Sequence, residues 1–426
     1  MQKVAHKRSL VSAIFLVSGT CIGGGMLALP IATGISGFFP SIVVMAICWL
    51  AMTITALFLL EVSLWLEEGA HVITMTHKIL GPLGESISWF LYLFICYASL
   101  IAYTAGGGAQ IAFSFEQYVH LPMSKDLGCF LFLCVFGAVI FVGSWFIGRV
   151  NAILFTAMIA AYVLLVGMGA DEVHTPLLFH RQWTHSLPAI PILLTAFSFQ
   201  TMVPSLTPYL KRRVNALRIS IVAGTTIAFF IYVVWQWIIL GIVPIEGPSG
   251  LAEALSRGNQ PATLFLHEHV SNRWVSTVAE YFAFFAIVTS FLGMTLGLFD
   301  FLADGFKIKK NTKGKVLLGV LISVPTLIVA TQFERAFMVA MDVTGGLGDS
   351  ILNGIIPALM IWRGRYVLGL SHSFRVPGGR LLPVLIIAFF SFTLFIELLG
   401  LSGYFPSIYE GYDLLEIHNP QEILNE

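Results

Sequence analysis

The sequence predicts an all-α polytopic membrane protein with eleven transmembrane helices, and three observations carry that expectation. Of 426 residues, 57% are hydrophobic and 11% charged, with a mean hydropathy of +0.86, whereas soluble domains carry about 25% charged residues. Apolar runs of about 18 or more residues, long enough to cross a bilayer as helix, recur along the whole chain. Lysine and arginine gather in alternate connecting segments, as in the cytoplasmic loops of multi-pass proteins.

Charge, glycine and proline bound the spans in turn. Span one, near 9–32, follows Lys3, Lys7 and Arg8, and span two, 38–66, stops at Glu67 and Glu68. The segment 67–81 reads as a short interfacial helix, and His71 and His77, six residues apart, do not share a helix face suited to a metal. Spans three, four and five fall near 84–113, 127–147 and 150–170. Span six, 187–210, closes at Lys211, Arg212 and Arg213, and span seven covers 216–243. After the longest loop, 244–273, come spans eight, nine and ten at 274–303, 315–332 and 336–362, and a last one at 381–402.

An N-terminus inside the cell places Lys78, Arg149, the cluster Lys211 to Arg218, the lysines between 307 and 315, and the arginines between 363 and 380 inside with it. Only Lys125, Arg181, Arg257, Arg273 and Arg335 fall outside. The tail 404–426 holds Glu410, Asp413, Glu416, Glu422 and Glu426 without a basic residue, which fits an external C-terminus after an odd number of spans. The expected location is a membrane, with the N-terminus cytoplasmic.

The 23 basic and 23 acidic residues cancel, so the balance points to no nucleic-acid partner and no acidic substrate. Cys21, Cys48, Cys96, Cys129 and Cys134 all lie in apolar segments without a Cys-x-x-Cys pair, against a disulfide framework or zinc site. Thr20 is a poor residue before a lipid-modified cysteine, and the apolar run continues past Cys21, against a cleaved leader there. The external-loop histidines His120, His174, His180, His185, His267 and His269 sit in no His-Glu-x-x-His or Gly-x-Ser-x-Gly arrangement, so nothing suggests an enzyme or a cofactor. With little extramembrane chain, the whole of 1–426 reads as one transmembrane domain whose partners are the bilayer and a small solute.

Two spans are interrupted. Residues 18–30, SGTCIGGGMLALP, place four glycines among their first eight residues, and glycine is poorly committed to helix. In span six, Ser198, Gln200 and Thr201 precede Pro204 at mid-span, where proline removes a helical hydrogen bond. Breaks five spans apart are what a five-plus-five inverted repeat predicts, here about 9–170 and 187–362 with the last span appended. Broken helices meeting at the midplane offer N–H groups to a carboxylate and C=O groups to an ammonium, a combination suited to a zwitterionic amino acid. Gly23, Gly24 and Gly25 permit close backbone approach, and Phe197 and Phe199 offer apolar walls.

The run Gly19-Thr20-Cys21-Ile22-Gly23-Gly24-Gly25-Met26-Leu27-Ala28-Leu29-Pro30 resembles the first-helix signature of the hydroxy/aromatic amino acid permeases, most closely the tyrosine-specific ones, and Pro208-Tyr209-Leu210-Lys211 is similar too. The resemblance covers essentially the whole chain. It implies the LeuT-like fold of the amino acid–polyamine–organocation superfamily, a bacterial inner-membrane location, and import of an aromatic amino acid, tyrosine first, by proton symport. A sodium-coupled or broader neutral amino acid carrier is the alternative. It also implies that Thr20, Cys21, Gly24 and Gly25 face substrate from span one and Phe197, Ser198 and Gln200 from span six. Relatives often carry histidine where this chain has Gln200.

Sodium-coupled members of the superfamily have a similar Ala-x-x-Thr-Ser pattern, here Ala286, Thr289 and Ser290, facing carbonyls that correspond to Gly19 and Ile22. Those hydroxyls and carbonyls suit a hard cation; the alternative is that Thr289 and Ser290 bond back to their own helix. Carboxylates at membrane depth are candidates for carrying a proton. Glu280 and Asp342 are placed best, with Glu61, Asp300 and Asp349 nearer span ends or turns and Glu397 on the appended helix.

Overall fold

A computed structural model describes residues 2–67, 70–142, 144–247, 249–257, 262–333 and 335–403, all helix and connecting segments without a strand. The acidic tail expected at 404–426, and Glu68, lie outside the described residues. Helices α1 (Gln2–Cys21) and α2 (Gly25–Thr33) are two arms of one span, bent by 50° at the glycine cluster. Then come α3 (Phe38–Trp65), α4 (Val72–Leu80), α5 (Pro82–Val119), α6 (Lys125–Val142), α7 (Ser144–Gly169) and the short α8 (Thr175–Leu178). Span six divides into α9 (Ile190–Ala196) and α10 (Val203–Tyr209). The rest is α11 (Val214–Ile242), α12 (Leu251–Arg257), α13 (Arg273–Gly305), α14 (Thr312–Gln332), α15 (Ala336–Val343), a π-helical segment (Thr344–Ile355), α16 (Ile356–Tyr366) and α17 (Leu381–Leu401).

Among the described residues, eight helices, counting 190–209 as one, and the bent pair α1–α2 are long and apolar enough to cross a membrane. Two of the eleven expected spans are not in that set: 127–147 includes residue 143, which lies outside the described residues, and 336–362 is divided by 12 residues of π-helix. That segment contains Gly345, Gly346, Gly348 and Gly354 with Asp349, Ser350 and Asn353, a composition that weakens a regular α-helix. Such wider i→i+5 turns are rare in helices and occur frequently at functional sites. The interfacial helix expected at 67–81 forms as α4, where His71 Nδ1 accepts from the Ile73 N–H at 3.5 Å. His77 pairs with Glu85 at 2.6 Å.

Lipid is as apolar as the helix faces, so these helices associate through close packing and internal polar contacts. A Cβ on Gly128 of α6 would overlap the carbonyl oxygen of Gly108 on α5, so both positions must be glycine for the backbones to come this close. α1 packs on α11, α13 on α7 and α5, and both α9 and α17 on the π-helical segment. Large apolar side chains such as Val320, Val324 and Ile328 on α14 and Phe392 and Phe395 on α17 remain on the outside, where hydrocarbon suits them.

At the end where α3 and α16 finish, Arg365 grips Glu61, with Nε to Oε1 at 2.8 Å and Nη2 to Oε2 at 2.5 Å. Both side chains are almost fully buried. Arg212 donates to the carbonyls of Leu64 and Leu66 at 2.6 and 2.9 Å, tying the end of α10 to α3.

Candidate functional site

The two breaks touch. A Cβ on Gly25 would lie 3.2 Å from Ala196 Cα, so the start of α2 meets the end of α9 backbone to backbone. A helix end leaves carbonyls without intrahelical partners, and one side chain serves both ends. Tyr232 of α11 directs its hydroxyl at the carbonyls of Cys21, 2.6 Å, and Ala196, 2.8 Å. The one hydroxyl proton is shared between them. Trp235, one turn on, donates to Met26 O at 3.0 Å, and Gln236 donates to Thr33 Oγ1 at 2.8 Å. All nine residues of α2 are buried, so this arm is sealed into the bundle.

We expect Tyr232→Phe to leave two buried carbonyls without a donor, at about 1–3 kcal/mol for such a loss. The readout is a lower melting temperature in detergent and uptake reduced about tenfold; an unchanged melting curve contradicts the clamp.

Beside the breaks lies a cavity of about 560 Å3, within the usual range for small-ligand sites. Its wall takes Gly19, Thr20, Cys21, Gly23 and Gly25 from the first break and Thr195, Ser198, Thr201 and Met202 from the second. α5 adds Ser99 and Tyr103, α13 adds Thr289, Ser290 and Gly293, and α7 adds Asn151 and Phe155. The lining continues to Phe15 and Leu16 of α1, Ser205 of α10 and Gly297 of α13. The cavity therefore extends towards the side on which α1 begins, while α2 and α9 close the other.

The structure gathers part of the residue set expected from sequence. Thr20 is exposed to the cavity, its hydroxyl donating to Leu16 O at 2.7 Å. Gly23 is held to glycine by Ser290 Oγ, which a Cβ would overlap. Gly24 lies behind Tyr103 and commits its N–H to Ser290 Oγ at 3.0 Å. Of Gly24 and Gly25, both expected to face substrate, Gly25 is the one in the cavity wall. Phe197 and Phe199 are 0% and 1% exposed and lie outside the wall, and Phe197 packs on the Tyr232 ring with centroids 5.0 Å apart. Gln200 is also buried away from the cavity. Its Nε2 donates to Met52 O at 3.1 Å and Thr55 Oγ1 at 3.3 Å, and its Oε1 accepts from the Phe199 N–H at 2.9 Å. It pins the second break to α3.

Of the cation set, Gly19, Thr289 and Ser290 share the wall, whereas Ile22 and Ala286 are buried outside it. Thr289 donates back to Phe285 O at 2.8 Å, and Ser290 accepts from Gly24. Glu280 and Asp342 are buried off the wall, with the carbonyl of Glu280 accepting from Gln110 and Asp342 Oδ1 lacking a hydrogen-bond partner among the described residues.

Sequence reasoning missed Tyr103, Tyr232 and Asn353, and it ranked Asp349 below Glu280 and Asp342. Asp349, expected near a turn, lies fully buried in the π-helical segment and accepts from Ser198 Oγ at 2.7 Å. The glycines at 345, 346 and 348 imitate a turn in sequence. Tyr103 directly precedes the small-residue run Thr104 to Gly108, a signal of close helix approach.

A helical membrane bundle whose two broken helices meet beside a cavity of this size defines a carrier for a small solute. The tryptophan/tyrosine permease family matches residues 6–397, and the chain belongs to that family. It is a multi-pass bacterial membrane permease and not an enzyme. It is 30% identical to the tryptophan-specific transport protein of Haemophilus influenzae, over 94% of this chain and 98% of the relative. It is 27% identical to tyrosine-specific transport system 1 of the same organism, over 93% and 98%. The tyrosine permease of Enterobacter agglomerans is 26% identical over 83% of this chain and 86% of its own. Among solved structures, MhsT in complex with L-phenylalanine aligns with a TM-score of 0.62 and 16% identity, over 91% of this chain and 97% of that one, and so shares the fold.

Proposed function

We propose that this permease imports an aromatic amino acid, tyrosine first, by proton-coupled symport and alternating access. The cavity between the two touching breaks carries the reading. The N–H of Gly25 at the start of α2 receives the substrate carboxylate, and span-six carbonyls near Ser198 take the ammonium. The aromatic ring lies against Tyr103 and Phe155, both of which line the wall. The architecture proposed is eleven spans, ten of them in two inverted repeats with the eleventh appended, N-terminus cytoplasmic and C-terminus external. In that orientation the cavity opens to the cytoplasm, and the structure is the inward-facing, substrate-releasing state. α1 with α2, and α9 with α10, are the arms whose rearrangement opens the other side.

Tryptophan is the second reading, favoured by the 30% identity to a tryptophan-specific relative. Sodium coupling receives less support, because the hydroxyls of Thr289 and Ser290 are engaged by protein groups. Uptake of labelled tyrosine, tryptophan, phenylalanine and serine into proteoliposomes, under separately imposed proton and sodium gradients, tests the reading. Tyrosine accumulation driven by an inward proton gradient is expected. Accumulation that ignores that gradient contradicts the symport, and failure to take up any of the four removes the substrate class.

A further inference from the structure

The Ser198–Asp349–Asn353 cluster joins the cavity wall to a buried carboxyl group. Ser198 belongs to the second break and lines the cavity. Its hydroxyl donates to Asp349 Oδ1 at 2.7 Å. Asn353, four residues after Asp349 along the π-helical segment, donates to the same Oδ1 at 2.6 Å and to Ser198 Oγ at 3.2 Å. The three groups close a triangle. Asp349 is 0% exposed, its bonds in this triangle come from a neutral hydroxyl and a neutral amide, and its Oδ2 has no hydrogen-bond partner among the described residues.

A carboxyl group at membrane depth, held by neutral donors with one oxygen unengaged, is the kind of side chain that carries protons in transporters. Tyr103 of α5 lies within electrostatic reach of Asp349, with Cys96 on the same helix, and Asp342 and Glu397 of α15 and α17 lie within reach of each other. The Glu397 carboxyl presses on Gly346 of the π-helical segment. From α3 and α16, Glu61 and Arg365 answer each other.

Resting on the symport reading, we infer that Asp349 is the proton-binding residue of the transport cycle and that Ser198 couples it to the break in span six. One proton joins Oδ2 in the loading half-cycle and leaves to water on the opposite side in the unloading half-cycle; this O–H bond alone forms and breaks. In the ionised state, the bonds from Ser198 and Asn353 to Oδ1 are charge-assisted and hold the break against the π-helical segment. In the protonated state they become neutral bonds, roughly half as strong. Ser198 is then free to turn to the substrate and the α9–α10 arm is released from its anchor. Proton occupancy and arm position are linked through one hydroxyl.

The test compares wild type, Asp349→Asn and Asp342→Asn in proteoliposomes, measuring tyrosine counterflow and proton-driven accumulation across external pH. The expected result is that Asp349→Asn keeps counterflow within about threefold and loses accumulation and the pH dependence of exchange, while Asp342→Asn keeps both. Accumulation by Asp349→Asn with the wild-type pH profile overturns the inference, as does loss of counterflow by well-inserted Asp349→Asn, which marks a structural or binding role. A wild type that ignores the proton gradient overturns the symport reading itself, and the inference with it. If Asp349→Asn does not insert, the wild type decides: an apolar carbodiimide is expected to modify Asp349 and block accumulation, and modification at Glu280 or Asp342 with Asp349 untouched overturns the assignment.

Discussion

Gly25→Leu is expected to reach the membrane at the wild-type level and to take up tyrosine at least about 100-fold more slowly. A leucine suits an apolar segment and does not disturb insertion. Its Cβ would sit 3.2 Å from Ala196 Cα and 3.6 Å from Thr195 O. Those are backbone atoms of the other break and cannot swing aside as a side chain does. The remaining leucine carbons must enter the cavity or drive α2 from α9. Either outcome displaces the N–H proposed to receive the carboxylate, and a hydrogen bond to a charged group contributes about 1.5–3 kcal/mol, where each 1.4 kcal/mol is roughly tenfold. Overpacking adds about 1–3 kcal/mol more. Uptake per inserted molecule is the measurement, and wild-type uptake by Gly25→Leu removes this glycine from the site.

Glu61→Gln is expected to cost about 3–5 kcal/mol of stability, the range for breaking a buried ion pair from one side. Arg365 reaches both carboxyl oxygens, and Glu61 Oε2 also accepts from the Val376 N–H at 2.7 Å. Arg365 Nη2 returns a bond to Val376 O at 3.0 Å. With side-chain exposures of 3% and 2%, neither charge has water to fall back on when its partner is removed. The double change Glu61→Leu with Arg365→Met is expected to recover most of the loss, because two charges leave together. The contacts join α3, α16 and the segment leading to α17, so melting curves of the three variants in detergent decide the matter. Equal melting of Glu61→Gln and wild type contradicts the argument.

Legibility from sequence followed the kind of signal. Apolar runs and charged boundaries located most helices, and the glycines at 23–25 and the polar cluster before Pro204 located both breaks, because each signal is local. Phe197, Phe199 and Gln200 lay on the correct segment, yet their side chains turn to the packing behind it. The irregular backbone between Ala196 and Gln200 decides which way each points, and no helical period applies there. Tyr232 was illegible for a different reason: a tyrosine on a long apolar helix gains meaning only from the two carbonyls, 211 and 36 residues away in sequence, that it serves. Asp349 was misplaced because a glycine-rich π-helical stretch reads as a turn.

The central claim is that substrate occupies the cavity between the two breaks, and protection of Thr20→Cys tests it most directly. Thr20 is exposed to that cavity at the side where α1 begins, the cytoplasmic side in the proposed orientation, so a thiol reagent applied from that face is expected to label the variant above the wild-type cysteine background. Saturating tyrosine is expected to suppress that added labelling, and serine to leave it unchanged. Labelling at the same rate with and without any aromatic amino acid would contradict the site.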